Sequence, residues 1–227
     1  MGQDSLLSSI FGCVYLDENM DNTEKSVFKI AVTGGAASGK TSVCNRLKEL
    51  GVKVISSDEM AREAVSPGST ALKKIVNFFG EKVLLSDGTL NRKMLREIIL
   101  DDTASRLTLE RFLHREISEL IHKNVACAEK EGCRILVVEV PLLFELNMQE
   151  RFDKVIVVSA GHGLRVKRLM ERDNTLREAA EALINVQMPD EEKIRMADFV
   201  VYNEGSKEGL IESVDILYRN LTSIAKR

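Results

Sequence analysis

The chain has 227 residues, enough for one good hydrophobic core or for a core domain carrying a smaller inserted one. Lys and Arg number 32 against 35 Asp and Glu, a formal net charge of −3, so no basic excess advertises nucleic acid and a small molecule is the expected partner. Four cysteines, at 13, 44, 127 and 133, form neither a C-x-x-C pair nor a disulfide framework, and with 3 histidines the pattern excludes a structural zinc site and fits a reducing cytosol.

Residues 1–27 stand apart as an appendage with no assignable role. Leu6 to Leu16 is moderately apolar, but no Lys or Arg precedes it and it is far short of a membrane span. A myristoylation signal also fails, because position 6 is Leu. Neither a leader nor an anchor is expected, and the expected location is cytoplasmic.

Phe28-Lys29-Ile30-Ala31-Val32-Thr33 reads as a buried first strand with no breaker before Gly34. It runs into Gly34-Gly35-Ala36-Ala37-Ser38-Gly39-Lys40-Thr41, a match to G-x-x-x-x-G-K-[ST] at every fixed position. Val43, Leu47 and Leu50 then recur at helical spacing before Gly51, so a helix is expected to begin at or near Lys40. A strand feeding the loop and a helix leaving it are the context this motif needs. Small residues let the backbone N–H groups of Gly35 through Val43 and the positive helix end point at phosphate oxygens. Lys40 adds a full charge near the β and γ phosphates, and the Thr41 hydroxyl is placed to ligate Mg²⁺.

Val52 to Ser56 is a short second strand ending at Ser57-Asp58. Ligands of open parallel sheets bind outside the carboxyl ends of the strands, which would stand Asp58 beside the phosphate loop, in chemistry or as the N-cap of a helix starting at Glu59. Residues 60–129 hold no convincing strand. Leu72, Ile75, Val76 and Phe79, then Leu95, Ile98 and Ile99, then Leu109, Leu113, Ile117, Leu120 and Ile121 fall at helical spacing, more helix than one crossover needs. An inserted helical subdomain is expected, punctuated by Gly80 and Asp87-Gly88.

The sheet resumes at Arg134 to Val140, an apolar run of the kind buried on both faces, which Pro141 ends. Lys154 to Ser159 and Phe199 to Tyr202 are the remaining strands. Leu164 to Val186 between them is a charged helical stretch with Arg165, Arg168 and Arg172 on one face, either a solvated surface or a lid over triphosphate. Leu210, Val214, Leu217, Leu221 and Ile224 mark a closing helix. The expected fold is α/β, a doubly wound five-stranded parallel sheet with an inserted helical domain and a helical lid.

Several widely separated stretches together resemble the dephospho-coenzyme A kinase family over about residues 28 to 220. They are Thr33 through Lys40, Val54-Ile55-Ser56-Ser57-Asp58, Asp87 to Arg92, Leu109-Glu110 with His114, Pro141-Leu142-Leu143-Phe144-Glu145, Arg168 to Asp173, Gln187, and Ala197-Asp198 with Asn203. The resemblance implies the strand arrangement of P-loop kinases and transfer of the ATP γ-phosphoryl group to the ribose 3′-hydroxyl of dephospho-CoA, with ATP and Mg²⁺. It implies core segments 28–59, 130–160 and 189–227, an acceptor domain at 60–129 and a lid at 161–188. Asp58 becomes the general base, Lys40 and Arg168 offset charge on the moving group, and Arg172 joins the nucleotide contacts. Arg92 and His114 would face the acceptor, with an ion pair and a packed histidine as their ordinary alternatives, and Pro141 and Leu142 would line its crevice. Glu139 would assist Mg²⁺ through water, or be a strand-end acid satisfied by neighbours.

The departures from the family pattern are Arg115 for Pro, Arg165 for Gln, Leu183 for Arg, and Ala36-Ala37 for a bulky residue followed by Gly. The last is tolerable unless residue 37 needs a positive φ. A kinase of another small metabolite, a nucleoside monophosphate or a sugar acid, would keep the ATP machinery and change only residues 60–129. A GTP switch would need N-K-x-D and D-x-x-G, and neither is in the sequence. A monomer or weak homo-oligomer is expected, with no membrane partner.

Overall fold

The computed structural model describes residues 27–100 and 102–225, so all but Val27 of the expected N-terminal appendage lies outside the described residues. In chain order the elements are β1 (Phe28–Thr33), α1 (Lys40–Glu49), β2 (Lys53–Ser56), α2 (Ser57–Ala64), α3 (Thr70–Phe79), α4 (Arg92–Leu100) and α5 (Thr103–Lys130). They continue as β3 (Ile135–Glu139), β4 (Lys154–Ser159), α6 (His162–Asp173), α7 (Arg177–Asn185), α8 (Asp190–Arg195), β5 (Phe199–Tyr202) and α9 (Lys207–Ile224). The described chain divides into two compact units, one of residues 57–126 and one of 27–56 with 127–225.

The second of these is built on a five-stranded sheet of order β2-β3-β1-β4-β5, every pairing parallel. Alternate residues of a strand share a face. Ile30 and Val32, Ile135 and Val137, and Ile156 and Val158 therefore meet Val43 and Leu47 of α1 and Leu210, Val214, Leu217 and Leu221 of α9 in one buried cluster. Ala31, Leu136, Val138, Val155 and Val157, on the opposite face, are buried too. That two-sided burial is why these strands read as unbroken apolar runs.

The two covering helices are also joined by charge. Arg46 holds Asp215 with two parallel bonds, Nε to Oδ1 at 2.7 Å and Nη2 to Oδ2 at 2.9 Å. The guanidinium bonds hold the Asp215 carboxyl below its ordinary value. A lowered carboxylate contributes stability above its unfolded pKa and loses it as pH falls through the folded one. Asp215→Asn is therefore expected to destabilise at neutral pH and to flatten the stability curve below about pH 4. Chemical denaturation across that range checks it.

The 57–126 unit is helical, as the apolar spacing foretold. Ala71, Leu72, Ile75 and Phe79 of α3, Leu95 and Ile99 of α4, and Leu109 and Leu113 of α5 are buried. Caps explain the boundaries. Ser69 Oγ accepts from Leu72 N at 3.1 Å and Asn91 Oδ1 from Met94 N at 3.1 Å, while Asp87 Oδ1 takes the Thr89 amide at 2.9 Å inside the tight turn before α4.

Two expectations are corrected here. The charged stretch 164–186 is two helices, because Asn174 adopts the left-handed conformation at φ 47° and caps α6. Asp58 is not an N-cap, because α2 begins at Ser57 and Asp58 sits inside its first turn. Among the described residues no helix is long and apolar enough to cross a membrane.

Candidate active site

The loop between β1 and α1 leaves the carboxyl end of the sheet flanked by the ends of β3 and β4. Its backbone carbonyls are accounted for one by one. Lys40 Nζ donates to Gly34 O at 3.0 Å and Gly35 O at 3.1 Å, and Arg165 Nε donates to Ala36 O at 3.0 Å. Arg168 Nη1 donates to Ala37 O at 3.4 Å and Asn203 Nδ2 to Ser38 O at 2.8 Å. Gly39 O accepts the Ser42 and Val43 amides at 3.0 and 3.2 Å. Every carbonyl from Gly34 to Gly39 is turned toward a donor, and although the Ala36, Ser38, Ser42 and Val43 amides are also engaged within the fold, the remaining loop N–H groups and the positive end of α1 make an environment that selects an anion.

The glycines in this loop are required for different reasons. Gly39 has φ 100°, and a Cβ there would collide with Asn203 Nδ2. Gly35 is not in the left-handed region; a Cβ on it would collide with the Arg165 guanidinium. Residue 37 does need a positive φ, since Ala37 sits at 57°. Its methyl, with Ala36, packs against Val166, Leu169, Ala180 and Ile184 of α6 and α7, beside Leu183. Left-handed backbone costs a non-glycine residue about 1–2 kcal/mol, and one buried methyl returns at most about 0.8. With the methyl's full return, Ala37→Gly is expected to stabilise by about 0.2–1.2 kcal/mol on these terms. A thermal melt that drops by several degrees would show that the methyl contact dominates.

Around the loop stand the other candidate groups of the sheet unit. The strand next to β1 is β3, so the carboxylate adjoining the loop is Glu139, paired in register with Val32; β2, which Asp58 follows in sequence, is the next strand out. Glu139 Oε1 accepts from Thr41 Oγ1 at 3.2 Å. Buried Cys44, one turn along α1, has its thiol pushed up first by burial and then by the Glu139 charge. A hydroxyl and a carboxylate side by side are hard oxygen donors, the set Mg²⁺ takes when phosphate oxygens and water complete its shell.

The three arginines of α6 do not share one fate. Arg168 Nη2 reaches Asn203 O at 3.2 Å and Oδ1 at 3.4 Å, long bonds at the rim of the loop. Arg172 is exposed and turned to Asp173, Nε to Oδ1 at 2.8 Å and Nη2 to Oδ2 at 2.7 Å. Arg165 is buried and paired with Asp190, Nη1 to Oδ1 at 2.6 Å. Helical spacing set them on one face; what that face meets, the loop backbone and α8, could not be read from spacing.

Val43, expected in the nucleotide set, has its side chain in the sheet core, while Ser42 is exposed. Pro141 and Leu142 are half-buried at the carboxyl side of the sheet, where Pro141 O accepts from Thr33 Oγ1 at 3.5 Å. In the helical unit Arg92 is the first residue of α4, and His114 lies on α5 with its side chain outside the described residues, as is that of Arg115. Sequence reasoning missed Asp190 and Lys193 and gave no role to Glu145, which it quoted only as the end of a family stretch. Glu145 Oε1 accepts from Met188 N at 3.1 Å and lies 2.7 Å from Lys193 Nζ, which fixes the segment that delivers Gln187 Oε1 to the Ala36 amide at 2.7 Å. Their only signal was position beside the quoted Glu145 and Gln187 stretches.

A dephospho-CoA kinase family model matches residues 28–208. The chain belongs to the dephospho-CoA kinase family. Similar curated relatives are a dephospho-CoA kinase of Syntrophotalea carbinolica, 38% identical over 85% of this chain and 91% of its own, and one of Bacillus cereus strain ATCC 14579, 37% identical over 84% and 95%. Among solved structures, TT1252 from Thermus thermophilus superposes with a TM-score of 0.73 at 29% identity, covering 86% of this chain and 98% of its own. The dephospho-CoA kinase from Campylobacter jejuni follows at TM-score 0.64, 31% identity, 86% and 97%. Family membership sets the chain among ATP-dependent kinases and favours the CoA reading over a kinase of a nucleoside monophosphate or sugar acid.

Proposed function

We propose that this chain transfers the γ-phosphoryl group of ATP to the ribose 3′-hydroxyl of dephospho-CoA, giving CoA and ADP. The observation that carries the reading is the loop whose carbonyls from Gly34 to Gly39 are all engaged, leaving an anion cradle with Lys40 at its edge. Phosphoryl transfer asks mainly for positioning and charge stabilisation. Lys40 supplies a charge to the β and γ oxygens. Arg168 joins it by trading its long bonds to Asn203 for charge-assisted ones. Arg172 contacts the nucleotide by leaving Asp173.

Asp58 accepts the proton of the attacking hydroxyl, which gains nucleophilicity only as that proton leaves. Arg92, His114, Pro141 and Leu142 bind the acceptor, with residues 60–129 as its domain and 161–188 as a lid. Thr41 and Glu139, side by side at 3.2 Å, would be the residues that hold Mg²⁺. When bound, the ion neutralises charge between the β and γ phosphates. The protein is cytoplasmic in this reading, a monomer or weak homo-oligomer.

ADP release from ATP and Mg²⁺, measured across dephospho-CoA, AMP and a sugar acid as acceptors, tests the substrate. Dephospho-CoA is expected to give the highest kcat/KM, and preference for either of the others would remove the assignment.

A further inference from the structure

The Ala36 peptide is gripped from both sides. Its N–H donates to Gln187 Oε1 at 2.7 Å and its C=O accepts from Arg165 Nε at 3.0 Å. Gln187 and Asp190 belong to one short segment, and Asp190 completes the circuit by binding Arg165 Nη1 at 2.6 Å through Oδ1 and Ser159 Oγ, at the end of β4, at 3.2 Å through Oδ2. The Arg165 side chain is only 5% exposed, and its guanidinium fills the space that a side chain on Gly35 would take. A buried cation already balanced by a carboxylate has little charge left to offer a phosphate. A planar fork held at Nε and Nη1 by two different segments acts instead as a strut.

We propose that Arg165 is a positioning residue for nucleotide binding, a strut that, with Asp190, fixes the Gly35–Ala36 peptides against α6 and the start of α8 so that the cradle is formed before ATP arrives. The inference rests on the reading of the loop as a phosphate cradle. A preformed loop avoids an ordering cost at the moment of binding. Once ATP is seated, its own contacts order the loop, so the chemical step depends little on the strut. The expected signature is therefore a change in affinity without a matching change in turnover.

The test measures ATP affinity by calorimetry, with kcat and KM, for the native chain and for Arg165→Gln, Arg165→Lys, Gly35→Ala and the double variant Gly35→Ala with Arg165→Gln. Arg165→Gln and Arg165→Lys are each expected to raise KM and Kd for ATP about tenfold with kcat within about threefold, the scale on which small misplacements act. Lys keeps the charge opposite Asp190 but cannot bridge to Ala36 O, so it carries the test even if the Gln variant fails to fold. Gly35→Ala alone is expected to weaken ATP binding by about a hundredfold or more, and the double variant to recover to the level of Arg165→Gln. Native affinity in the Lys variant, a fall in kcat at unchanged KM, or no recovery in the double variant would overturn the strut. Failure of the native chain to bind ATP would instead sink the cradle reading itself.

Discussion

Asp58→Asn is expected to lower kcat by roughly two to four powers of ten while ATP affinity stays near native, the usual scale for a positioned base. Asn keeps the size and polarity of the side chain and removes only the ability to take a proton. Asp58 lies in the first turn of α2, straight after β2, so a second role is available to it: a carboxylate at a helix N-terminus complements the helix dipole for about 0.3–1 kcal/mol. The two roles separate in one comparison. A helix-dipole role costs thermal stability and leaves turnover close to native; a base role does the reverse. Calorimetric ATP binding, a melt and steady-state kinetics on the same variant decide between them.

Glu145→Ala is expected to destabilise the protein by about 3–5 kcal/mol, the cost of leaving one member of a buried ion pair without the other. Lys193 is fully buried and its Nζ lies 2.7 Å from Glu145 Oε1. At about 2–4 °C per kcal/mol for a chain of this size, the melting temperature should fall by roughly 6–20 °C. Glu145→Leu combined with Lys193→Met, which removes both charges and keeps the volume, should recover most of that loss. A single variant that melts within a degree or two of the native chain would show that water reaches the Lys193 ammonium. The effect extends to the site, because Glu145 also fixes Met188 N and, through it, the placement of Gln187 on Ala36.

The sequence was most informative where function is local. The phosphate loop, the strand before it and the helix after it are contiguous, and their residue types suffice to specify the turn, so β1 and the start of α1 fall where the pattern places them. The helical insertion was legible for the same reason: apolar spacing and the Gly80 and Asp87-Gly88 punctuation are short-range signals, whereas the Ser69 and Asn91 caps emerged only with the structure.

What escaped was set by partners distant in sequence. That β3 comes between β1 and β2, bringing Glu139 to the end of the strand beside β1, is a matter of pairing order that no local pattern encodes; the resemblance implied the strand arrangement, but the place of Glu139 in it was not drawn from the residues. Lys193 sits in the charged run Asp190 to Arg195 and reads as solvated, yet it is buried by a carboxylate nearly fifty residues away in sequence. Arg165 looked like one of three cationic lid residues; burial and Asp190 make it part of the scaffold under the loop. The left-handed backbone at Ala37 was signalled only by the Gly that the family pattern has there, because alanine in that conformation is held by packing against α6 and α7 and not by preference.

A single turnover with ATP labelled in its γ-phosphate, dephospho-CoA and Mg²⁺ tests the central claim most directly. The account predicts that the label appears in CoA as the ribose 3′-phosphate, at a rate that Lys40→Ala and Asp58→Asn each suppress. Label recovered only as inorganic phosphate, or on another position of the acceptor, would contradict it.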